Sequence, residues 1–151
     1  MERLIVARIG RRYAGWLTGH LSDVRPMPAV APLPEPYPLL LGTAFLSGRL
    51  VTVVDTFPLM GETPEPAEKG LLLRLAPPHD HIGFPLPEIQ SVLDYSDLRL
   101  REESAEGIWS GLYPWEDAWV NVVHPPAVAR ELARSMASAI HPHVPGRDHA
   151  S

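Results

Sequence analysis

Apolar positions along this chain fall in short runs separated by prolines, glycines and charged residues. The clearest pair is Leu39–Leu46 and Leu50–Val54, joined by Ser47-Gly48-Arg49 and followed by a lone carboxylate, Asp55. Two short apolar runs around a Gly-containing turn predict a β-hairpin. Ahead of it, Leu4–Ile9 and Tyr13–Leu17 predict two strands around a turn at Gly10-Arg11-Arg12. His20–Val24 is expected to form one helical turn stopped by Pro26, and Ala29–Pro36 an extended Pro-rich segment. After the hairpin, Phe57–Met60 suits a short helical turn. Gly61–Lys69, carrying Glu62, Glu65 and Glu68, reads as a surface linker.

The pattern then restarts. Leu71–Leu75 and His81–Leu86 predict strands around a turn at Pro77–Asp80, and Glu88–Leu93 a bend or helical turn. Asp94–Glu106 is polar and reads as loop with a short strand, before a second hairpin, Gly107–Tyr113 and Ala118–His124, turning at Pro114–Asp117. Leu4-Ile5, Trp16 and Val24 match Leu72-Leu73, Phe84 and Val92 at a common offset of about 68 residues. One residue further on, Gly42 matches Gly111, and Val51, Val53 and Val54 match Val120, Val122 and Val123, with Asp55 over His124. An offset held across separated elements predicts an internal duplication and a pseudo-symmetric fold.

The end of the chain has a different period. Pro125-Pro126 suits the first turn of a helix, and Val128, Leu132 and Met136 recur at every fourth position. Pro142 bounds this helix, whose apolar stripe must pack on the strands; His143–Ser151 reads as a frayed tail.

Composition narrows the function classes. The net charge of −5 is spread along the chain, which argues against nucleic acid and against an anionic membrane surface. There is no cysteine, which excludes disulfides, thiolate catalysis and zinc–sulfur sites. The opening MERLIVARIG is no signal peptide, and no run reaches the ~18 apolar residues of a membrane helix, so a cytoplasmic location is expected. The 18 prolines, in clusters, mark loops and strand ends, because proline cannot donate to a ladder. Short strands with frequent turns predict a mostly β fold.

Candidate chemistry is sparse. His79 and His81 would point the same way in an extended strand, but no third metal ligand is placed nearby. His141, His143 and His149 lie in the tail. Asp55 has no partner acid, base or nucleophile and is better placed to cap the turn after it. No nucleophile elbow, phosphate loop or nucleophile–base pair is visible, so no catalytic residue, metal or cofactor is expected. Trp109, Tyr113, Trp115 and Trp119 cluster, and Trp115, in the expected turn, is the one best placed to anchor a partner.

These features together resemble the CheW-like domain of bacterial chemotaxis coupling proteins. The resemblance spans Leu4 to Ile140. It is carried by the first hairpin LIVARIGRRYAGWL, the segment Val30-Ala31-Pro32-Leu33-Pro34, and the second hairpin from Gly42 through Gly48 and the valine run to Asp55. In the second half it is carried by Ile82-Gly83 through Val92. The chain departs from the family pattern at Phe45, Ser47, Phe57 and Pro87, Ser47 standing where the family's hairpin usually carries arginine. Arg49, two positions on, alternates to the same side.

The resemblance implies one domain over residues 1–141, with a flexible tail over 142–151. Within it are expected two pseudo-symmetric five-stranded β-barrels of SH3-like form, about 1–62 and about 70–124, and a helix over 125–141. It implies a non-catalytic adaptor, in chemotaxis or type IV pilus motility signalling, whose partners are a histidine kinase regulatory domain and the tip of a methyl-accepting chemoreceptor. The expected contact residues are Gly42, Leu46, Ser47, Arg49 and Asp55, with Trp115. Two other readings stand beside it. One is a divergent module with a private partner, which the altered hairpin favours. The other is a small-barrel hydrolase or ligand-binding protein, which requires a deep polar pocket between the barrels.

Overall fold

A computed structural model describes residues 2–35, 37–64 and 69–140. The strands are β1 (Arg3–Ile9), β2 (Arg12–Leu17), β3 (Leu21–Pro26), β4 (Leu40–Leu46), β5 (Arg49–Val54), β6 (Leu71–Leu75), β7 (Ile82–Leu86), β8 (Ser91–Asp94), β9 (Trp109–Trp115) and β10 (Ala118–Val123). The helices are α1 (Thr56–Leu59) and α2 (Pro125–Ile140). The strands form two five-stranded sheets, ordered β8-β1-β2-β10-β9 and β3-β6-β7-β5-β4.

Shifting the strand numbers by one half-repeat turns one order into the other. The registers agree residue by residue. Ile5 faces Trp16 and Val92 in the first sheet, and Leu73 faces Phe84 and Val24 in the second. The parallel pairing Val122 to Gly15 has its twin in Val53 to Gly83. A Cβ on Gly15 would strike Val120 and Leu4, and one on Gly83 would press on their counterparts Val51 and Leu72. The sequence offset therefore reflects a true structural duplication.

The halves are interleaved rather than side by side, which corrects the expected division into units at about 1–62 and 70–124. β1 and β2 join β8, β9 and β10, whereas β3, β4 and β5 join β6 and β7. The opening hairpin of each half docks through a parallel ladder on the other half's closing strand, where a glycine, Gly15 or Gly83, admits the close approach of its neighbours. The ladders are also open, where closed barrels were expected. No ladder among the described residues joins β8 to β9 or β3 to β4. Only isolated bridges, Ala31 to Thr43, Arg101 to Leu112 and Glu106 to Trp109, set the connecting segments against the edge strands. The segment before β4 is rich in proline, which lacks the N–H a ladder requires.

Three further elements differ from expectation. Leu21–Pro26 is an edge strand, not a helical turn, because it pairs with β6, and Ser91–Asp94 is the corresponding strand on β1. Both are only half-buried, so the alternation that marks a strand is weak. The second hairpin is tighter than expected: β9 runs through Pro114 to Trp115 and only Glu116-Asp117 turn. Pro114 is tolerated because β9 is an edge strand.

The cores follow from this arrangement. The main core lies between the sheets and holds Ile5, Ala7, Trp16, Leu73, Leu75 and Phe84, closed by Val128 and Leu132 of α2. The twins Trp16 and Phe84 meet edge-on, with ring centroids 5.5 Å apart. Smaller clusters fill the other face of each sheet, around Leu4, Val6 and Tyr113 in the first and Ala44, Val51 and Leu72 in the second.

Candidate protein-docking site

The β4–β5 hairpin closes on the pair Leu46 and Arg49, so its turn has only two residues, Ser47 and Gly48. Both have positive φ, 50° and 78°, as the turns favoured by strand twist require. Glycine meets this freely, whereas Ser47 is held in the left-handed region. Arg49 reaches from the hairpin to Asp80, 2.5 Å away in the β6–β7 turn, so the one base at this tip is already paired.

The six expected contact residues do not form one surface. Ser47 and Arg49 are exposed at the tip. Leu46 is 3% exposed and belongs to the core below the hairpin, so it is not a contact residue. Gly42 is buried at a break in register; a Cβ there would lie 2.2 Å from the Ala31 carbonyl oxygen, so its role is to admit that neighbouring segment. Asp55 holds the N-cap of α1, as expected, though its carboxylate makes no capping hydrogen bond of good geometry. Burial raises its pKa above the ordinary carboxylate value, opposed by the facing Phe57 N–H. Trp115 is on the other sheet, half-buried at the end of β9 and packed edge-on against Tyr13 at 5.1 Å. It is the twin of Leu46 and stands in a strand rather than in the turn.

Two residues missed by sequence reasoning make the strongest exposed feature. Phe45 and Leu50 face each other across β4 and β5 and are 70% and 60% exposed. The signal was available: alternation puts Phe45 outward once Ala44 and Leu46 point in. The twin pair is Pro114 and Trp119, and there the guanidinium of Arg101 lies over the indole at 5.2 Å. The first-sheet hairpin is thus capped by a cation, and the second-sheet hairpin is bare.

An open groove of about 730 Å³ is lined by residues of the first sheet and by α1, which follows the second. One wall is Leu39 with Pro58, Leu59, Met60 and Gly61 from the end of α1. The other is Glu106, Gly107, Ile108 and Trp109 at the start of β9; Arg12, Asn121 and Glu131 complete it. Arg12 is held by Glu62, whose carboxylate is 6% exposed, accepts the Arg11 N–H at 2.6 Å and lies 3.6 Å from Arg12 Nε. Glu62 is therefore a buried clamp and not linker surface; Glu65 and Glu68 lie outside the described residues.

The duplication explains why this groove exists. α1 and α2 occupy twin positions, each with the fourth residue's N–H bonded to the cap carbonyl, Leu59 to Asp55 and Val128 to His124. α2 continues for 16 residues, and Ser135 Oγ donates to the carbonyl of Pro38 just before β4. α1 stops after four, at Met60-Gly61, where Gly61 has φ of 74°. The groove lies where an α1 as long as α2 would run past Gly107, the twin of Pro38.

No group of metal-ligating side chains forms among the described residues, and His79 and His81 both belong to the turn between β6 and β7. The tail histidines lie outside the described residues. No helix among the described residues is long and apolar enough to cross a membrane.

Family models and curated protein sequences give no match to this chain. Among solved structures, it is similar to the crystal structure of the scaffolding protein TtCheW from Thermoanaerobacter tengcongensis, at 12% sequence identity and a TM-score of 0.71, covering 81% of this chain and 88% of that one. At this identity the likeness is one of fold. Two five-stranded sheets, the twin strand order and the C-terminal helix are the CheW-like fold, in a divergent sequence.

Proposed function

We propose that this chain is a non-catalytic scaffold that couples a chemoreceptor to a CheA-type histidine kinase, in the cytoplasm. The observation that carries this reading is the pair of separate docking features on a CheW-like frame: the bare Phe45/Leu50 hairpin on one sheet and the vacated helix seat between the sheets. A scaffold must hold two partners at once, so it needs two surfaces that do not overlap. The groove mixes apolar residues, Leu39, Leu59, Ile108 and Trp109, with the polar Arg12, Glu106 and Asn121, which suits the amphipathic tip of a receptor helix. The hairpin offers an exposed cross-strand apolar pair at a sheet edge, which suits a folded regulatory domain.

The test is co-purification with the kinase regulatory domain and the receptor tip from the same organism. Both should be retained together. Phe45→Asp with Leu50→Asp should release the kinase domain only, and Trp109→Ala, at a half-buried residue lining the groove, the receptor only. Retention of neither partner by the unmodified chain would overturn the reading.

A second reading is favoured by one observation. Ser47 stands where the family has arginine, and Arg49 is occupied by Asp80, so the tip offers no free cation. A divergent module with a private partner would show this. It predicts that an unbiased pull-down from the native host recovers a partner other than a receptor or kinase.

A further inference from the structure

Three charged side chains meet at the β3 edge of the second sheet. Asp23 and Arg74 are cross-strand partners, and Arg25 stands two residues further along β3. Both guanidiniums rest on the same oxygen: Asp23 Oδ2 lies 3.1 Å from Arg74 Nη2 and 3.4 Å from Arg25 Nη2. The other carboxylate oxygen, Oδ1, and the Nε of each arginine are buried without a hydrogen-bond partner. Neither arginine makes a second ion pair among the described residues. Two cations thus share one anion, and the surplus positive charge lies largely out of water. The side chains of Arg74, Asp23 and Arg25 are 12%, 29% and 35% exposed. A charge held in such a place is costly unless it is neutralised.

The fold does not demand these charges. Their twins in the first sheet are Ser91, Leu93 and Val6. There Tyr113 reaches from β9 to the Asp94 carbonyl and the Ser96 N–H at the end of β8. Its twin on β4, Ala44, has no side chain long enough to do the same, and no ladder joins β3 to β4 among the described residues. The cluster therefore stands on a strand that borders an open seam.

We propose that Asp23, Arg25 and Arg74 form an anion site that takes one carboxylate, entering past Arg25, the most exposed of the three. The charge selects a monoanion: one carboxylate neutralises the surplus, whereas a dianion such as sulfate overshoots it beside the unpartnered Asp23 Oδ1. The shape selects a planar group with two oxygens, which a guanidinium fork meets with two parallel hydrogen bonds. A small free acid and an Asp or Glu side chain of a partner protein share this chemistry. The inference does not rest on the scaffold reading.

Titration of the full chain, followed through the Nε–H resonances of Arg25 and Arg74, tests this. At constant ionic strength set with chloride, acetate should move both resonances along a saturating curve, and sulfate should move them less. Arg25→Leu and Arg74→Val, which install the twin residues, should each abolish the saturating shift at the arginine that remains. If Arg74→Val fails to fold, Arg25→Leu carries the test alone. Asp23→Asn, which raises the charge of the cluster by one, should tighten acetate about three- to five-fold. A blocked glycyl-aspartyl-glycine peptide separates the sources: tighter binding than acetate supports a protein carboxylate, and weaker binding supports a small free acid. An identical linear drift with acetate, sulfate and chloride would overturn the proposal, as would a saturating shift kept in Arg25→Leu. So would an asparagine version of the peptide that moves the resonances as far as the aspartate one.

Discussion

The second sheet is woven from one stretch of chain, Leu21 to Leu86, whereas the first is assembled from two stretches with the second sheet inserted between them. The ladders match residue for residue, yet the interiors do not. Tyr113 fills the first sheet and donates its hydroxyl to the Asp94 carbonyl while accepting the Ser96 N–H. Its twin is Ala44. Where the first sheet has Val6, Ser91 and Leu93, the second has Arg74, Asp23 and Arg25, joined as two ion pairs of 3.1 and 3.4 Å on one carboxylate. The backbone pattern is thus set by register and by the glycines at closest approach, while the filling of each sheet is free to drift. Drift has also reached the surface, leaving one hairpin bare and the other capped by Arg101, and one helix long and its twin short.

The sharpest way to break the comparison is at the pseudo-axis. Trp16→Ala and Phe84→Ala should each destabilise by about 3–5 kcal/mol in chemical denaturation, because both empty the one core the sheets share. The double substitution should show a coupling of about 0.5–1.5 kcal/mol from the edge-on ring contact. Equal and fully additive losses would show that the two sheets do not share that core.

Next in size is the unequal filling. Tyr113→Ala should cost about 3–5 kcal/mol even though alanine is what the twin position carries, because it empties a fully buried ring from the first sheet's apolar cluster. Tyr113→Phe should cost about 1–2 kcal/mol through the two lost hydrogen bonds. If Tyr113→Ala proved nearly neutral, the sheets would be interchangeable inside as well as in outline.

The twin glycines probe what the halves still share. A Cβ on Gly42 or Gly111 would lie 2.2 or 2.5 Å from a backbone oxygen, at φ of 158° and 151°. Gly42→Ala and Gly111→Ala should each destabilise by about 1–3 kcal/mol, Gly42 the more. A neutral result at either would show that the close approach of Ala31 or Arg101 is dispensable.

The smallest difference is electrostatic, at the twin helix starts. The His124 pKa is lowered, first by burial and then by Arg130, His20 and His79. Its folded pKa lies below the unfolded value, so its contribution is present above the unfolded pKa and is lost as pH falls through the folded one. The Asp55 pKa is raised by burial, so its contribution is present below the unfolded value of 3.8 and is lost as pH rises through the folded one. Stability measured against pH should therefore lose part of its fall below the histidine range in His124→Gln, and gain at neutral pH in Asp55→Asn. Unchanged pH profiles would place both groups in water.

Much of this was legible in advance. The hairpin over Leu40–Val54, the helix from Pro125 and the duplication could all be read from apolar spacing, because register fixes which residues face inward. The strands at Leu21–Pro26 and Ser91–Asp94 were not, since half-buried edges lack clear alternation. Leu46 turns inward by the same alternation that turns Phe45 outward, whereas the close approach of Ala31 that covers Gly42 comes from a separate segment and leaves no local mark. The groove was not legible at all, since its walls come from residues far apart in the chain.

By itself the sequence determined the periodicities: which residues pair, where glycine is required, and that one half echoes the other. Local sterics and the alternation of strands suffice for that. Only the tertiary structure decided which half each hairpin docks on, because a parallel ladder between distant strands is won by the core it buries and leaves no local mark. The same competition placed α2 across one seat and left its twin empty.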